Sequence, residues 1–354
     1  MINTIIINNF SGFKSFEATT LPSVNVIIGP NDSGKASLLK LLYGVSKSLE
    51  DFTQKNSHNP SPCKRLLSDK LINTFQPRKN GLGELVTKGS GEKLSVSTTY
   101  EGKSKQQIQF SFGETTTNSI VDCTENNHIE SFADPYNVLF IPAKEVLTAF
   151  DAIALTREQY NMVGFDDTYY DLILDLRVPT LQGNVTSELK NVNMYLEDLF
   201  EGVITQGPKD NPFIFKKGKT EFSMPLTAEG IKKIGILTAL IKNRKLRKNT
   251  LLFMDEPETA LHPKAVRNLA EMIVLMGKAG VQIFITTHNY FLIKQLAIIA
   301  QRDETDINCF SLNKIPNQPI NYTVSNMKDG LPENEIIAEA LAMFNEEIKQ
   351  SLGV

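Results

Sequence analysis

Apolar positions along this chain change their period several times, and each change marks an element. The opening TIIINNF and the segment around Phe16 read as two short antiparallel strands. They lead into NVII at 25–28, an apolar, β-branched run of the buried-strand type. Glycine-rich GPNDSGK follows, and then SLLKLLYGVSKSL, whose apolar spacing is helical. Strand, loop and helix in that order put the loop at a helix N-terminus. Residues 51–92 are rich in Ser, Asn, Lys and Pro and predict a surface excursion. LSVSTTY and QQIQFSF alternate apolar and polar residues across EGKSK, a hairpin pattern. NVLFIP is a second buried-type strand.

Over 144–200 the spacing turns helical, with aromatic residues in FDDTYYDLILDL, and a loop containing Gly202 and Gly207 follows. FIF and EFSM, on either side of Lys216-Lys217-Gly218-Lys219, predict another hairpin. A helix over 228–244 precedes the strand TLLFMD. The remainder alternates: helix PKAVRNLAEMIVLM, strand VQIFITT, helix NYFLIKQLAII, strand NCFSL, and a last helix from residue 333. Such alternation implies a parallel, doubly wound sheet. The expected fold is therefore α/β: a mixed sheet with a parallel doubly wound core, an antiparallel β flank and a helical subdomain. Its expected segments are 1–140, a helical insertion over 141–212, and 213–354. There is no internal repeat and no long heptad run.

Composition narrows the class. With 354 residues, 41% hydrophobic and 22% charged, the chain can bury a large core, which excludes disorder, collagen and disulfide scaffolds. No apolar run approaches the ~20 residues of a membrane span. MINTIIINNF lacks the basic start and small-residue cleavage site of a signal peptide. A cytoplasmic location without a membrane partner is expected. Cys63, Cys123 and Cys309 are too widely spaced for a zinc set or a disulfide framework and read as inert thiols. A net charge of −3 gives no global attraction to nucleic acid. Locally, Lys242, Arg244, Lys245, Arg247 and Lys248 crowd a predicted helix end. They read as a solvated face that complements the helix dipole, with DNA or partner docking as the alternative.

Gly29-Pro30-Asn31-Asp32-Ser33-Gly34-Lys35 fits the G-x-x-x-x-G-K pattern. Glycines let the backbone fold tightly, so that successive amides and the helix N-terminus point at phosphate oxygens. Lys35 would neutralise the β- and γ-phosphates of ATP. The next position normally gives magnesium a hydroxyl, and here it is Ala36. Ser37 is turned ~100° further round the helix and faces the α-phosphate instead. The plainer alternative is a glycine-rich turn without a ligand.

LLFMDEPETALHP puts Asp255 and Glu256 at the end of an apolar strand, where doubly wound folds bind ligands. Asp255 would hold Mg2+ through water, and Glu256 would polarise the attacking water as general base. Adjacent carboxylates there also suit a helix N-cap. His288, after the next strand, can sense the γ-phosphate, although a lone histidine is more often structural.

These motifs, in this order, resemble the ATP-binding-cassette (ABC) class of ATPase head shared by SMC, RecF and overcoming-lysogeny-defect (OLD) proteins. IIINNFSGFKSFEATTLPSVNVIIGPNDSGKASLLKLL is similar to their opening block, DEPETALHP to their Walker B with its D-loop, and TTHN to their histidine switch. The resemblance implies an ABC-type P-loop ATPase head of the wider AAA group, with ATP and Mg2+ as cofactors. It also implies a head-to-tail homodimer, or a higher homo-oligomer, that sandwiches two ATPs. A signature motif reaching the partner's ATP in trans should precede the helix before Walker B. Leu226-Thr227-Ala228-Glu229-Gly230 fills that slot. Ala228 and Glu229 stand where the family's LSGGQ has glycines, whereas Thr227 as an N-cap hydroxyl and Gly230 near the helix start keep the chemistry of anion binding. A merely well-capped helix is the bland alternative. A Q-loop glutamine is not identifiable; its strand would end near Lys144 and Glu145.

IPAKE and FDDTYYDL are similar to segments in ATPases of bacterial anti-phage systems such as PARIS and Septu. Too few residues separate Lys35 from Asp255 for an SMC rod, whose arms need hundreds of residues at ~1.5 Å rise each. The stretch after His288 lacks the acidic cluster of an OLD Toprim nuclease. The expectation is an ATP-hydrolysing dimeric switch, slowed by Ala36, that controls a separate effector such as a nuclease or toxin in anti-phage defence. Two other readings stand beside it: a non-hydrolysing scaffold that sequesters a toxic partner, and a RecF-like DNA repair ATPase.

Overall fold

The computed structural model describes residues 1–55, 63–78, 81–101, 106–125, 136–160, 162–180, 187–207 and 212–352. The chain opens with strands β1 (Ile2–Phe10), β2 (Phe13–Thr19) and β3 (Val24–Ile28), followed by helices α1 (Lys35–Lys55) and α2 (Cys63–Phe75). Strands β4 (Leu94–Tyr100), β5 (Gln106–Phe112), β6 (Asp122–Glu125) and β7 (Asn137–Ile141) come next. Helices α3 (Phe150–Glu158), α4 (Asp167–Arg177) and α5 (Ser187–Phe200) precede the short strands β8 (Val203–Gln206), β9 (Phe213–Lys217) and β10 (Thr220–Ser223). Then follow α6 (Glu229–Lys242), β11 (Thr250–Asp255), α7 (Pro263–Lys278) and β12 (Gln282–Thr287). The last elements are α8 (Tyr290–Arg302), β13 (Ile307–Asn313), β14 (Asn321–Asn326) and α9 (Glu335–Leu352).

The largest sheet has the order β14-β13-β3-β12-β11-β7. Its strands from β13 to β7 run parallel, and β14 is antiparallel at the edge. Strands buried on both faces read as continuous apolar runs, and alternate residues serve two cores. On β11, Leu252 and Met254 face one core with α3 to α8, while Leu251 and Phe253 face the other. That second core holds α1, α2 and an antiparallel sheet of order β2-β1-β4-β5-β6. The mixed sheet with a parallel core and an antiparallel flank is as the sequence implies.

Three elements depart from the sequence reading. Residues 51–92 are no mere excursion, because α2 buries Cys63, Leu67 and Leu71 against α1. Their i, i+4, i+8 spacing is a helix stripe diluted by polar neighbours. β8 forms between Gly202 and Gly207, where a loop is expected, and pairs with β9. β14 has no apolar alternation, since its outward face is solvated and only its pairing with β13 makes it a strand. Burial pushes the Cys309 thiol up to about 12, in keeping with an inert cysteine. No helix among the described residues is long and apolar enough to cross a membrane.

A buried ionic seam ties α1 and α2 to the helices after β7. Lys70 of α2 reaches both Asp167 and Asp171 of α4 at 2.8 Å, and Arg157 of α3 reaches Asp167 at 2.5 Å. On α1, Lys40 pairs with Asp166 at 2.5 Å, Tyr43 donates to Asp171, and Lys47 pairs with Glu50 at 2.6 Å. The aspartates of FDDTYYDLILDL thus line the inner face of α4. Leu172 is buried, and Phe165 and Tyr169 pack on the core as the sequence suggests.

Candidate functional site

The parallel strands end together. Thr287 of β12 lies opposite Ile28 of β3, and Asp255 of β11 lies opposite Thr286 of β12. The register therefore delivers the loop after β3, the acidic end of β11 and the turn after β12 to one edge of the sheet. A cleft of about 320 Å³ opens there, lined by Asn31 to Ser37, Ala143, Asp255 and Glu256.

The loop wraps the N-terminus of α1, whose first turn carries no acidic residue. Gly34 has φ +83°, and a Cβ there would lie 2.8 Å from the Phe13 ring, so both conformation and space require glycine. Lys35 is 7% exposed, and its Nζ donates to the loop carbonyls of Gly29 and Pro30, each at 2.8 Å. Burial lowers its pKa, against the pull of the Glu256, Asp255 and Glu258 carboxylates. A desolvated ammonium held only by carbonyls is poised for an anion. Ser33 is fully buried and its hydroxyl has no hydrogen-bond partner. Ala36 and Ser37 line the cleft from the first turn of α1.

Asp255 Oδ1 accepts the Thr286 hydroxyl at 2.5 Å. Burial raises its pKa, and the Thr286 bond opposes that shift. Glu256 has φ +45°, in the left-handed region, and its N–H donates to Thr286 O at 3.1 Å. A side chain held there by its surroundings is a common mark of a functional site. Glu256 Oε1 lies 2.8 Å from His288 Nδ1. The structure thus brings the glycine-rich loop at 29–35, Asp255, Glu256 and His288 together.

Two further residues escape sequence reasoning. Lys233 of α6 is 4% exposed and donates to Ala143 O at 2.7 Å and Glu256 O at 2.6 Å. Burial lowers its pKa, while Glu258, Asp255 and Glu256 pull it up. Glu258, also 4% exposed, accepts the Thr287 hydroxyl at 2.5 Å, and burial raises its pKa. In the sequence, IKKIGIL offers two lysines with nothing to tell the buried one from a solvated one.

The signature slot is corrected in one respect. Thr227 does not cap α6, because its hydroxyl donates to Ser223 O at 2.9 Å. Ala228 is the N-cap residue and contributes no side-chain bond. Gly230 sits at a close approach, where a Cβ would meet the end of the Leu261 side chain at 2.7 Å and Ala260 O at 3.1 Å. The start of α6 therefore packs on the loop that follows Glu258. Thr227 to Gly230 are not among the residues lining the cleft of their own chain.

The SMC head bound to the C-winged helix domain of ScpA superposes on this chain with a TM-score of 0.55 at 13% identity, covering 93% of this chain and 98% of that one. The fold is that of an ABC-type ATPase head. A second such head, an Smc head with an extended coiled coil bound to the C-terminal domain of ScpA derived from Pyrococcus furiosus, gives 0.52 at 12% identity, covering 98% and 99%. At these identities the likeness is one of fold. Residues 1–174 of the head match the family described as "AAA ATPase domain". Residues 127–294 match "AAA domain, putative AbiEii toxin, Type IV TA system". The Old nuclease of Escherichia phage P2 is 44% identical over 43 residues, which are 12% of this chain and 7% of that protein. The matched AAA families and the OLD segment support a nucleotide-binding ATPase head of the ABC/OLD-like kind.

Proposed function

We propose that the chain binds ATP in this cleft, hydrolyses it slowly, and acts as a dimeric switch on a separate effector. The observation that carries this reading is the convergence of Lys35, Asp255, Glu256 and His288 at one end of the parallel sheet. The cleft fits a triphosphate: amides at the α1 N-terminus and the desolvated Lys35 take its phosphates. It fits magnesium with one protein hydroxyl fewer than usual, since Asp255 is in place and residue 36 offers only a methyl group. Bound ATP and Mg2+ supply the phosphoanhydride bond and the charge neutralisation that lets it break. Glu256 takes the proton of the attacking water at its carboxylate, and His288 orients that carboxylate through Nδ1. Lys233 fixes the backbone carbonyl of Glu256 and so the unusual conformation from which the carboxylate projects.

Each head would complete its partner's cleft with Thr227, Ala228, Glu229 and Gly230, where free amides of α6 serve as anion donors. Leu226, 80% exposed beside them, is placed to be covered in that dimer. The SMC heads solved with ScpA domains are precedents for a head of this fold that seats a second protein. Leu341, Phe344 and Ile348 form an exposed apolar stripe on α9 that suits such a role. The matches to a phage-borne OLD nuclease and to a family named for an AbiEii toxin favour anti-phage defence. Ala36 keeps a second reading in view, in which ATP is a structural ligand of a scaffold.

Light scattering of Glu256→Gln tests the switch. With ATP and magnesium the variant is expected to double its mass, and with ADP to return to the lighter form. A mass independent of nucleotide would overturn the sandwich.

A further inference from the structure

Glu258 takes no part in the chemistry above, yet the fold buries its carboxylate beside the cleft. One oxygen accepts the Thr287 hydroxyl at 2.5 Å, and the other is buried without a hydrogen-bond partner. Thr287 Oγ1 in turn accepts the backbone N–H of Asn289 at 3.0 Å. Asn289 Oδ1 accepts Leu292 N–H at 3.2 Å and caps α8. His288 lies between these two residues, on a turn, with its side chain 52% exposed. Packing alone leaves such a ring free to change rotamer. Between the strand end and the Asn289 cap, the Thr287 hydroxyl bonds backbone on one side and Glu258 on the other. Glu256 and Glu258, joined by Pro257 with its fixed φ, therefore grip 287–288 at two points, one directly and one through Thr287.

We propose that Glu258 is a positioning residue, anchoring Thr287 so that the 287–289 turn presents His288 Nδ1 to Glu256. The proposal rests on the hydrolytic reading of the cleft. A neutral acceptor would bury at less cost than a carboxylate. The anionic acceptor makes a bond roughly twice as strong as a neutral one, which suits a hinge that must not yield when γ-phosphate is lost. Glu258 does not line the cleft, so its removal should act on turnover and leave nucleotide affinity alone.

The test compares Glu258→Ala, Glu258→Gln, Thr287→Val and Thr287→Ser for kcat, KM and ATP affinity. Alongside, imidazole NMR follows the four histidines, with His288 assigned by His288→Gln. Glu258→Ala and Thr287→Val are expected to lower kcat about tenfold or more with ATP affinity within twofold. Glu258→Gln and Thr287→Ser should stay within about threefold of wild type, because each keeps the hydroxyl–acceptor pair. Adding Glu258→Ala to His288→Ala should lower kcat no further. Unchanged kcat in Glu258→Ala, equal losses in the Val and Ser variants of Thr287, or a multiplicative double mutant would overturn the proposal. Should Glu258→Ala fail to fold, the Thr287 pair decides alone. If the wild type does not hydrolyse ATP, the hydrolytic reading has failed; the NMR arm still decides the positioning, by whether His288 keeps its hydrogen-bonded Nδ1 signature in Thr287→Val.

Discussion

Two regions of this molecule bury charge, and they do so in opposite ways. In the seam between α1, α2 and α4, acids and bases meet each other: Lys70 touches two aspartates, and Asp171 also receives Tyr43. Burial works against the Lys70 charge, but Asp171 and Asp167 outweigh it and hold its pKa above the ordinary lysine value. In and beside the cleft, two buried lysines rest on carbonyls rather than carboxylates, Lys35 on Gly29 and Pro30, and Lys233 on Ala143 and Glu256. Burial wins there, lowering both lysines and raising Asp255 and Glu258. A seam whose charges are spent on each other holds helices in register. A cleft whose charges are unspent is suited to a ligand.

The contrast can be broken from either side. The largest effect is expected in the seam: Lys70→Ala removes the cation shared by Asp167 and Asp171, leaving them Arg157 and Tyr43, and should cost about 3 kcal/mol of stability, read by denaturant unfolding. ATP affinity per folded molecule should be unchanged. In the cleft, Lys35→Ala should reverse the pattern, with wild-type stability and ATP affinity down about 100-fold, near 2.7 kcal/mol. Calorimetric titration reads it, and unchanged affinity would remove the phosphate loop from the account.

Acid titration separates the regions by sign. Asp171 has a folded pKa below its unfolded value, held there by Lys70 and Lys47 against burial. Its stabilisation is present above the unfolded value and is lost as pH falls through the folded one. Glu258 has a folded pKa above its unfolded value, so its ionisation opposes folding at neutral pH, and that penalty fades as pH falls through the folded value. Glu258→Gln should therefore raise the Tm by about 2 °C at pH 7.5, with the gain shrinking toward pH 4.5. Asp171→Asn should instead destabilise at neutral pH, and its deficit should persist until more acid pH. Thermal scans from pH 7.5 to 3.5 read both.

The smallest effect concerns magnesium. Ala36→Ser restores a hydroxyl beside Asp255 and should lower the magnesium needed for half-maximal turnover by about 3- to 10-fold, the scale of one hydrogen bond. No change would mean that the position 36 side chain does not face the metal.

Much of this was legible in the chain because strong local patterns matched the final fold. The buried strands NVII, TLLFMD and VQIFITT keep their type and place, and the loop at 29–35 sits between strand and helix as its glycines demand. What escaped depends on partners distant in sequence. Lys233 and Glu258 look like surface residues until β7 and β12 are set beside them. The acidic face of α4 gains meaning only when Lys70, about a hundred residues earlier, arrives from a segment whose polar composition hid its helix. Thr227 had the right residue type for a cap, but a turn bond to Ser223 claims its hydroxyl first.

The measurement that tests the central claim most directly is steady-state ATP hydrolysis with magnesium, wild type beside Glu256→Gln, with ATP affinity measured on the same samples. The expected result is slow turnover in the wild type that falls by about 100-fold or more in the variant, with affinity intact. Equal rates in the two proteins, or tight binding without any wild-type turnover, would contradict a hydrolytic cleft.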